Sequence, residues 1–145
     1  MADPIAPEVT LRRGLAQYLA DHDVAVYRPV GAYTAGERGI YTLGAGMPTV
    51  AGSDNALVLR SLQTVATDRA DMLYRVQIES RIKGSPIDAE NLAAFIASVM
   101  DQKQDVPPGL HIAWCSLFSQ LAISADSSGR CGTFQTFHLM GRRGL

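Results

Sequence analysis

The stretch "YRVQIESRIKGSPIDAENLAAFIASVM", Tyr74–Met100, decides how the chain is read. Its first half alternates. From Met72 to Lys83, one side of an extended strand collects Met72, Tyr74, Val76, Ile78 and Ile82, with Ser80 among them. The other side collects Leu73, Arg75, Gln77, Glu79, Arg81 and Lys83. A period of two means that one face meets a core and the other meets water or a partner. Gly84 breaks the strand. The second half changes period: Leu92, Phe95, Ile96, Val99 and Lys103 follow a 3, 4, 3, 4 rhythm with Met100 beside them, which predicts an amphipathic helix lying on a sheet. Its start is marked by Asp88 as N-cap, with Ile87 and Leu92 at the positions of a hydrophobic staple. Ser85 followed by Pro86 offers a start one turn earlier. Phe95 and Met100 read as core residues.

Upstream, Pro4 and Pro7 precede a second periodic segment. Val9, Leu11, Leu15, Tyr18 and Leu19 recur at helical spacing, with Arg12, Arg13 and Gln17 polar between them. This helix should end near Asp23, and "VAVYRPV" (24–30) follows as a strand stopped by Pro29. Residues 31–55 then change character. They are rich in glycine and poor in apolar anchors, so they read as a long loop that holds at most a short strand around Gly39–Leu43. Long loops in compact domains are usually functional or mobile. "GAG" at 44–46 lacks the glycine spacing and the lysine of a phosphate loop.

Ala56–Val65 reads as a strand and "ATDRAD" as a turn. After the second helix, His111–Ala125 and Cys131–Met140 read as two strands of a hairpin, joined across "DSSGR". The tail 141–145, "GRRGL", is short, basic and expected to fray. The fold class is therefore α+β: a two-layer sandwich with a mixed, mainly antiparallel sheet, an N-terminal helix and a second helix packed on it. A length of 145 residues suits one domain with a real core.

Apolar residues make up 47% of the chain and charged residues 19%, a globular balance. The net charge of −1 argues against a dedicated nucleic-acid surface, which needs a basic excess. No signal peptide is visible at the N-terminus, and no apolar run approaches the length of a bilayer span. Cys115 and Cys131 lie in apolar strand sequence without CxxC spacing and read as reduced and buried. His22, His111 and His138 have no metal-ligand spacing, although His111 and His138 are placed to face each other across the final hairpin. There is no GxSxG elbow and no HExxH. Asp88 and Glu90 suit the start of a helix, and Asp68 and Asp71 suit a turn. No catalytic, cofactor-binding or metal residues are assigned, and no enzyme activity is expected.

The same segments resemble a known family. Val76, Gln77, Ile78, Arg81 and Gly84, then Asp88, Leu92, Ala93 and Ile96, resemble the strand-turn-helix unit of the tail-terminator or minor capsid proteins of long-tailed, siphovirus-type bacteriophages. Gly129, Arg130, Phe134 and Phe137 fit that family's last strand, and "GLAQYLADHDVAVYRP" (14–29) resembles its opening helix. Ala93 and Ala94 depart from the family's usual alanine and aspartate. The glycine-rich segment 31–55 lies outside the resemblance.

A tail-terminator resemblance implies a structural virion protein of the tail or neck, assembled in the host cytoplasm. It would form a homo-oligomeric ring, expected to be a hexamer, that caps the tail tube and stops its polymerisation. Its partners would be itself, the major tail tube protein and the connector of the head, with DNA passing through the lumen unbound. A head-completion or neck adaptor is the alternative within the same field, and a small cytosolic enzyme or ligand-binding domain the alternative outside it. Interface residues are expected in two places. Tyr33, Arg38 and Tyr41 are the anchors of the long loop. Ile112, Trp114 and Phe118 form one face of the strand 112–123, opposite Cys115, Leu117, Leu121 and Ile123. Both faces of that strand are apolar, so one meets the core and the other needs a second cover: a neighbouring subunit, or the N-terminal helix or long loop folded back over it.

Overall fold

The computed structural model describes residues 3–43 and 46–144. Helix α1 spans Pro7–Asp21 and helix α2 Pro86–Met100. The strands are β1 Gly39–Tyr41, β2 Ala56–Ser61, β3 Val65–Ala66, β4 Asp71–Lys83, β5 Trp114–Ile123 and β6 Arg130–Arg142. The sheet order is β1-β2-β4-β6-β5, with β3 also pairing β4. Among the strands of the described residues only the β1–β2 pair is parallel, so the sheet is mixed and mainly antiparallel. Two helices on such a sheet make the α+β class that the sequence indicates.

The alternation of β4 is reproduced in space. Tyr74, Val76, Ile78 and Ser80 are buried, and the residues between them are half-exposed. Register carries that division across the sheet, because directly paired residues share a face. Tyr74 pairs with Leu139 and Leu139 with Cys115; Val76 pairs with Phe137 and Phe137 with Leu117. On the other side of β4, Leu57 and Leu59 pair with Ser80 and Ile78. Both helices cover this face. Leu11, Leu15, Ala16 and Leu19 of α1 and Leu92, Ile96 and Met100 of α2 join the sheet residues in one core. The Tyr18 hydroxyl donates to Val99 O at 2.5 Å and ties the two helices together.

The N-cap of α2 is Ser85 rather than Asp88. Pro86 takes the first helical position and Asp88 the third, where its carboxylate accepts from the Ser85 N–H at 3.0 Å while the Ser85 hydroxyl accepts from the Asp88 N–H at 3.3 Å. This capping box satisfies two helix-end donors at once, which outweighs the staple. Ile87 accordingly points to solvent. The buried stripe of α2 is Ala89, Leu92, Ala93, Ile96 and Met100, so Phe95 lies off its centre and is partly exposed instead of in the core. The helix stops at Met100. Lys103 lies beyond it, paired through its backbone with Cys115.

Other departures are local. The strand expected over 24–30 shrinks to one parallel bridge, Val26 with Gly39. His111 adopts a φ of +57°, and Asp105 N donates to Ile112 O at 2.9 Å; the strand therefore begins only at Trp114. His111 thus stands outside the hairpin, and His138 faces Ser116. At the other end β6 runs to Arg142, and Arg143 donates to Asp68 O and, through its own N–H, to Ala70 O. The tail is paired to this point rather than frayed. Cys115 and Cys131 are free and buried, and Gly132 lies tight against β4: a Cβ there would lie 1.7 Å from Ser80 O.

Candidate functional site

Two surfaces stand out once the core is assigned. The first is the sheet face that carries no helix. On it lie Leu73, Met140 and Trp114 in one row, then Arg75, His138 and Ser116, then Glu79, Phe134 and Leu121. A β-bulge between Leu117 and Ser119 shapes this face. One extra residue in β5 shifts the parity of everything after it. Leu121 and Ile123 therefore share a face with Trp114 and Phe118, where simple alternation had grouped them with Cys115 and Leu117. Phe118 stacks on His138, with ring centroids 4.1 Å apart and 12° between the planes. Burial, and then the neighbouring Arg75, hold the His138 pKa below its usual value.

Of the residues assigned to this surface from sequence, Trp114 and Phe118 are exposed upon it. Ile112 is not: it is buried in the core, because the turn at His111 directs it inward. Burial pushes the Cys115 thiol up to about 12, with Asp101 adding to the effect, so it holds its proton at neutral pH.

The second surface lies at the opposite edge of the sheet, beside β1. There residues of 27–35, 37, 40–43 and 50–53, with Arg13, line a hollow of about 600 Å³. Tyr33 organises it. Its hydroxyl donates to Ile40 O at 2.5 Å and accepts from Arg28 N at 3.1 Å, and its ring packs on Tyr41 at 5.1 Å. Gly39 makes this possible, since a Cβ there would sit 2.8 Å from the Tyr33 ring. The rim is braced by Arg28 and Glu37, bonded at 2.7 Å. Glu37 also accepts from Thr34 N at 2.7 Å. These bonds, with Arg28 the larger, lower its carboxyl to about 2. Val30, Leu43 and Val50 line the hollow while remaining exposed.

Tyr33 and Tyr41 thus come together in one site, and Arg38 does not join them. Its guanidinium donates to Val24 O at 3.1 Å, and the half-buried side chain lines a separate small hollow with Leu92 and Phe95 of α2. Sequence reasoning missed Arg81. Its guanidinium donates to the carbonyls of Pro48, Ser53 and Asp54 and so pins the second half of the long loop to β4. An arginine on the outward side of a strand, opposite a glycine-rich loop that needs donors, was the available signal. Among the described residues, no group of three His, Cys, Asp or Glu side chains is placed to hold a metal ion. No helix among them is long and apolar enough to cross a membrane.

A virion protein shares this fold. A chain from the virion of a native gene transfer agent particle superposes with a TM-score of 0.56 at 13% identity, over 94% of this chain and 95% of that one. At that identity the likeness is one of fold. No family model and no curated protein matches the sequence.

Proposed function

We propose that the chain is a structural protein of a phage-like virion, and specifically a tail terminator: a ring that caps the tail tube, halts its polymerisation and joins it to the head connector. The observation that carries this is the end-to-end fold likeness to a virion chain, covering nearly the whole of both molecules. The tail-terminator resemblance of Val76–Ile96 points to the same class from sequence alone. The architecture suits such a role. A well-packed face holds the monomer, and a second face and the far edge leave large apolar groups in water, as a subunit awaiting neighbours would. A charge of −1 suits a conduit through which DNA moves without being gripped, since phosphate binding needs clustered cations. The partners proposed are further copies of the chain, the tail tube protein and the connector, with the virion tail or neck as the location.

Particles made without the chain, viewed by electron microscopy, test this. Tails of irregular, extended length are expected. Tails of normal length that fail to join heads would instead assign the chain to the neck as an adaptor. Normal, joined particles would remove both roles.

A further inference from the structure

Six of the ten large hydrophobic side chains exposed among the described residues fall into two patches. Trp114, Phe118 and Leu121 are 40%, 62% and 66% exposed and project from β5. Val30, Leu43 and Val50 are 90%, 88% and 70% exposed and surround the hollow beside β1. In the sheet order β1-β2-β4-β6-β5 these are opposite edges. Four strand spacings separate them, about 19 Å, so the projecting group of one chain does not fill the hollow of the same chain.

The two patches match in shape and in charge. Ile112–Ala125 contains no Asp, Glu, Lys or Arg and no proline, an unprotected composition for an edge strand. Lys103 and Asp101 bond the outward backbone groups of Cys115 and Leu117, and beyond Leu117 no such bond covers the outer edge among the described residues. The bulge then turns Phe118 out of the plane of the core. Across the molecule the hollow is concave, and its Arg28 is already paired with Glu37. Arg13 at the rim adds a donor suited to bare strand carbonyls. A volume of about 600 Å³ accommodates a cluster of side chains.

We infer that these patches are the two halves of one heterologous contact, in which the β5 edge of one copy, led by Phe118, seats in the hollow beside β1 of the next copy. A contact between two different surfaces of identical chains propagates head to tail and closes into a ring when the rotation allows. The inference rests on the proposed ring and supplies its lateral joint. It also accounts for the braced rim, since a preformed hollow lowers the ordering cost of association.

Two variants test it. Phe118→Asp lacks the projection and keeps the hollow; Val50→Asp spoils the hollow and keeps the projection. Both positions are exposed, so circular dichroism should show native folding. By light scattering the wild type associates beyond a dimer, and each variant alone is monomeric, with self-association weakened about 100-fold or more by the charge placed in an apolar contact. Mixed in equal amounts, they form a 1:1 dimer and nothing larger, because only one competent pair of surfaces remains. Dimers of either variant alone would mean a symmetric contact and overturn the inference. So would a monomeric mixture or a monomeric wild type, including the case in which the hollow takes a small apolar ligand. Should either variant misfold, Leu121→Asp with Val30→Asp repeats the test. Normal, joined particles without the chain, together with the 1:1 dimer, would remove the terminator role and leave this joint standing. Irregular tails without the chain, together with no dimer, would do the reverse.

Discussion

The covered and open faces of the sheet are built from the same strands, β4, β6 and β5, yet they divide their side chains differently. On the covered face Tyr74, Val76, Phe137 and Leu139 are sealed beneath α1 and α2. On the open face Trp114, Phe118 and Leu121 stand in water beside Arg75, His138 and Glu79. Apolar burial on one side supplies the stability of the fold. Equally large apolar groups on the other side contribute little to it, so their presence is better explained by what the surface meets. In one strand, residues two positions apart pack within the chain while their neighbours face solvent, where the proposed assembly would use them.

Substitutions at matched positions sharpen this difference. Phe137→Ala should cost about 3–5 kcal/mol in denaturant unfolding, through lost burial and the cavity left behind. Phe118→Ala, on the adjacent strand but the open face, should cost under about 1 kcal/mol. Comparable costs for the two would break the contrast. Gly132→Ala acts on the frame that both faces share. Its Cβ would meet Ser80 O, so β4 and β6 must separate; a loss of about 3 kcal/mol is expected by the same measurement. Ser85→Ala, which removes one arm of the capping box, should lower stability by about 1 kcal/mol without touching assembly.

The smallest effect concerns pH. The folded His138 has a depressed pKa, so the unfolded chain binds the proton more readily. Its contribution is fully present above the ordinary histidine range and is lost as pH falls through the folded value. His138→Gln should flatten that part of the stability profile between neutral and mildly acidic pH. An unchanged slope would place the depressed group elsewhere.

Much of the covered face was legible in the sequence because it obeys simple periods. Met72–Lys83 alternates without interruption, and the helix that follows carries a stripe at helical spacing. The open edge obeys no such rule. The bulge at Leu117/Ser119 shifts parity by one residue, and nothing in "SLFSQL" announces it. Ile112 reads from the sequence as an outward residue of a strand, but a positive φ at His111 and the bond from Asp105 N to Ile112 O place it in the core. At the β1 edge, residue type singled out Tyr33, Arg38 and Tyr41, and of these Tyr33 and Tyr41 meet at one hollow. That hollow was not legible, since it depends on Gly39 leaving room for the Tyr33 ring and on Arg81 holding the loop from another strand. Period-based reading recovers what packs within the chain. It fails where a single backbone irregularity, or a donor distant in sequence, shapes a surface.

Amide hydrogen exchange, measured on the free chain and on the chain within purified particles, tests the division between the two kinds of surface most directly. Exchange reports local opening, which is set by cover and bonding. Beyond any end-face contact with the tube and connector, gained protection is expected at the lateral joint: the amides of 118–124 at the β5 edge, and those of 28–35 and 50–53 around the hollow. The amides of β4 and of α2, already protected in the monomer, should not change. Equal protection of the edge and the loop in both states, or a gain spread over the helices instead, would contradict the assignment of these edges to assembly.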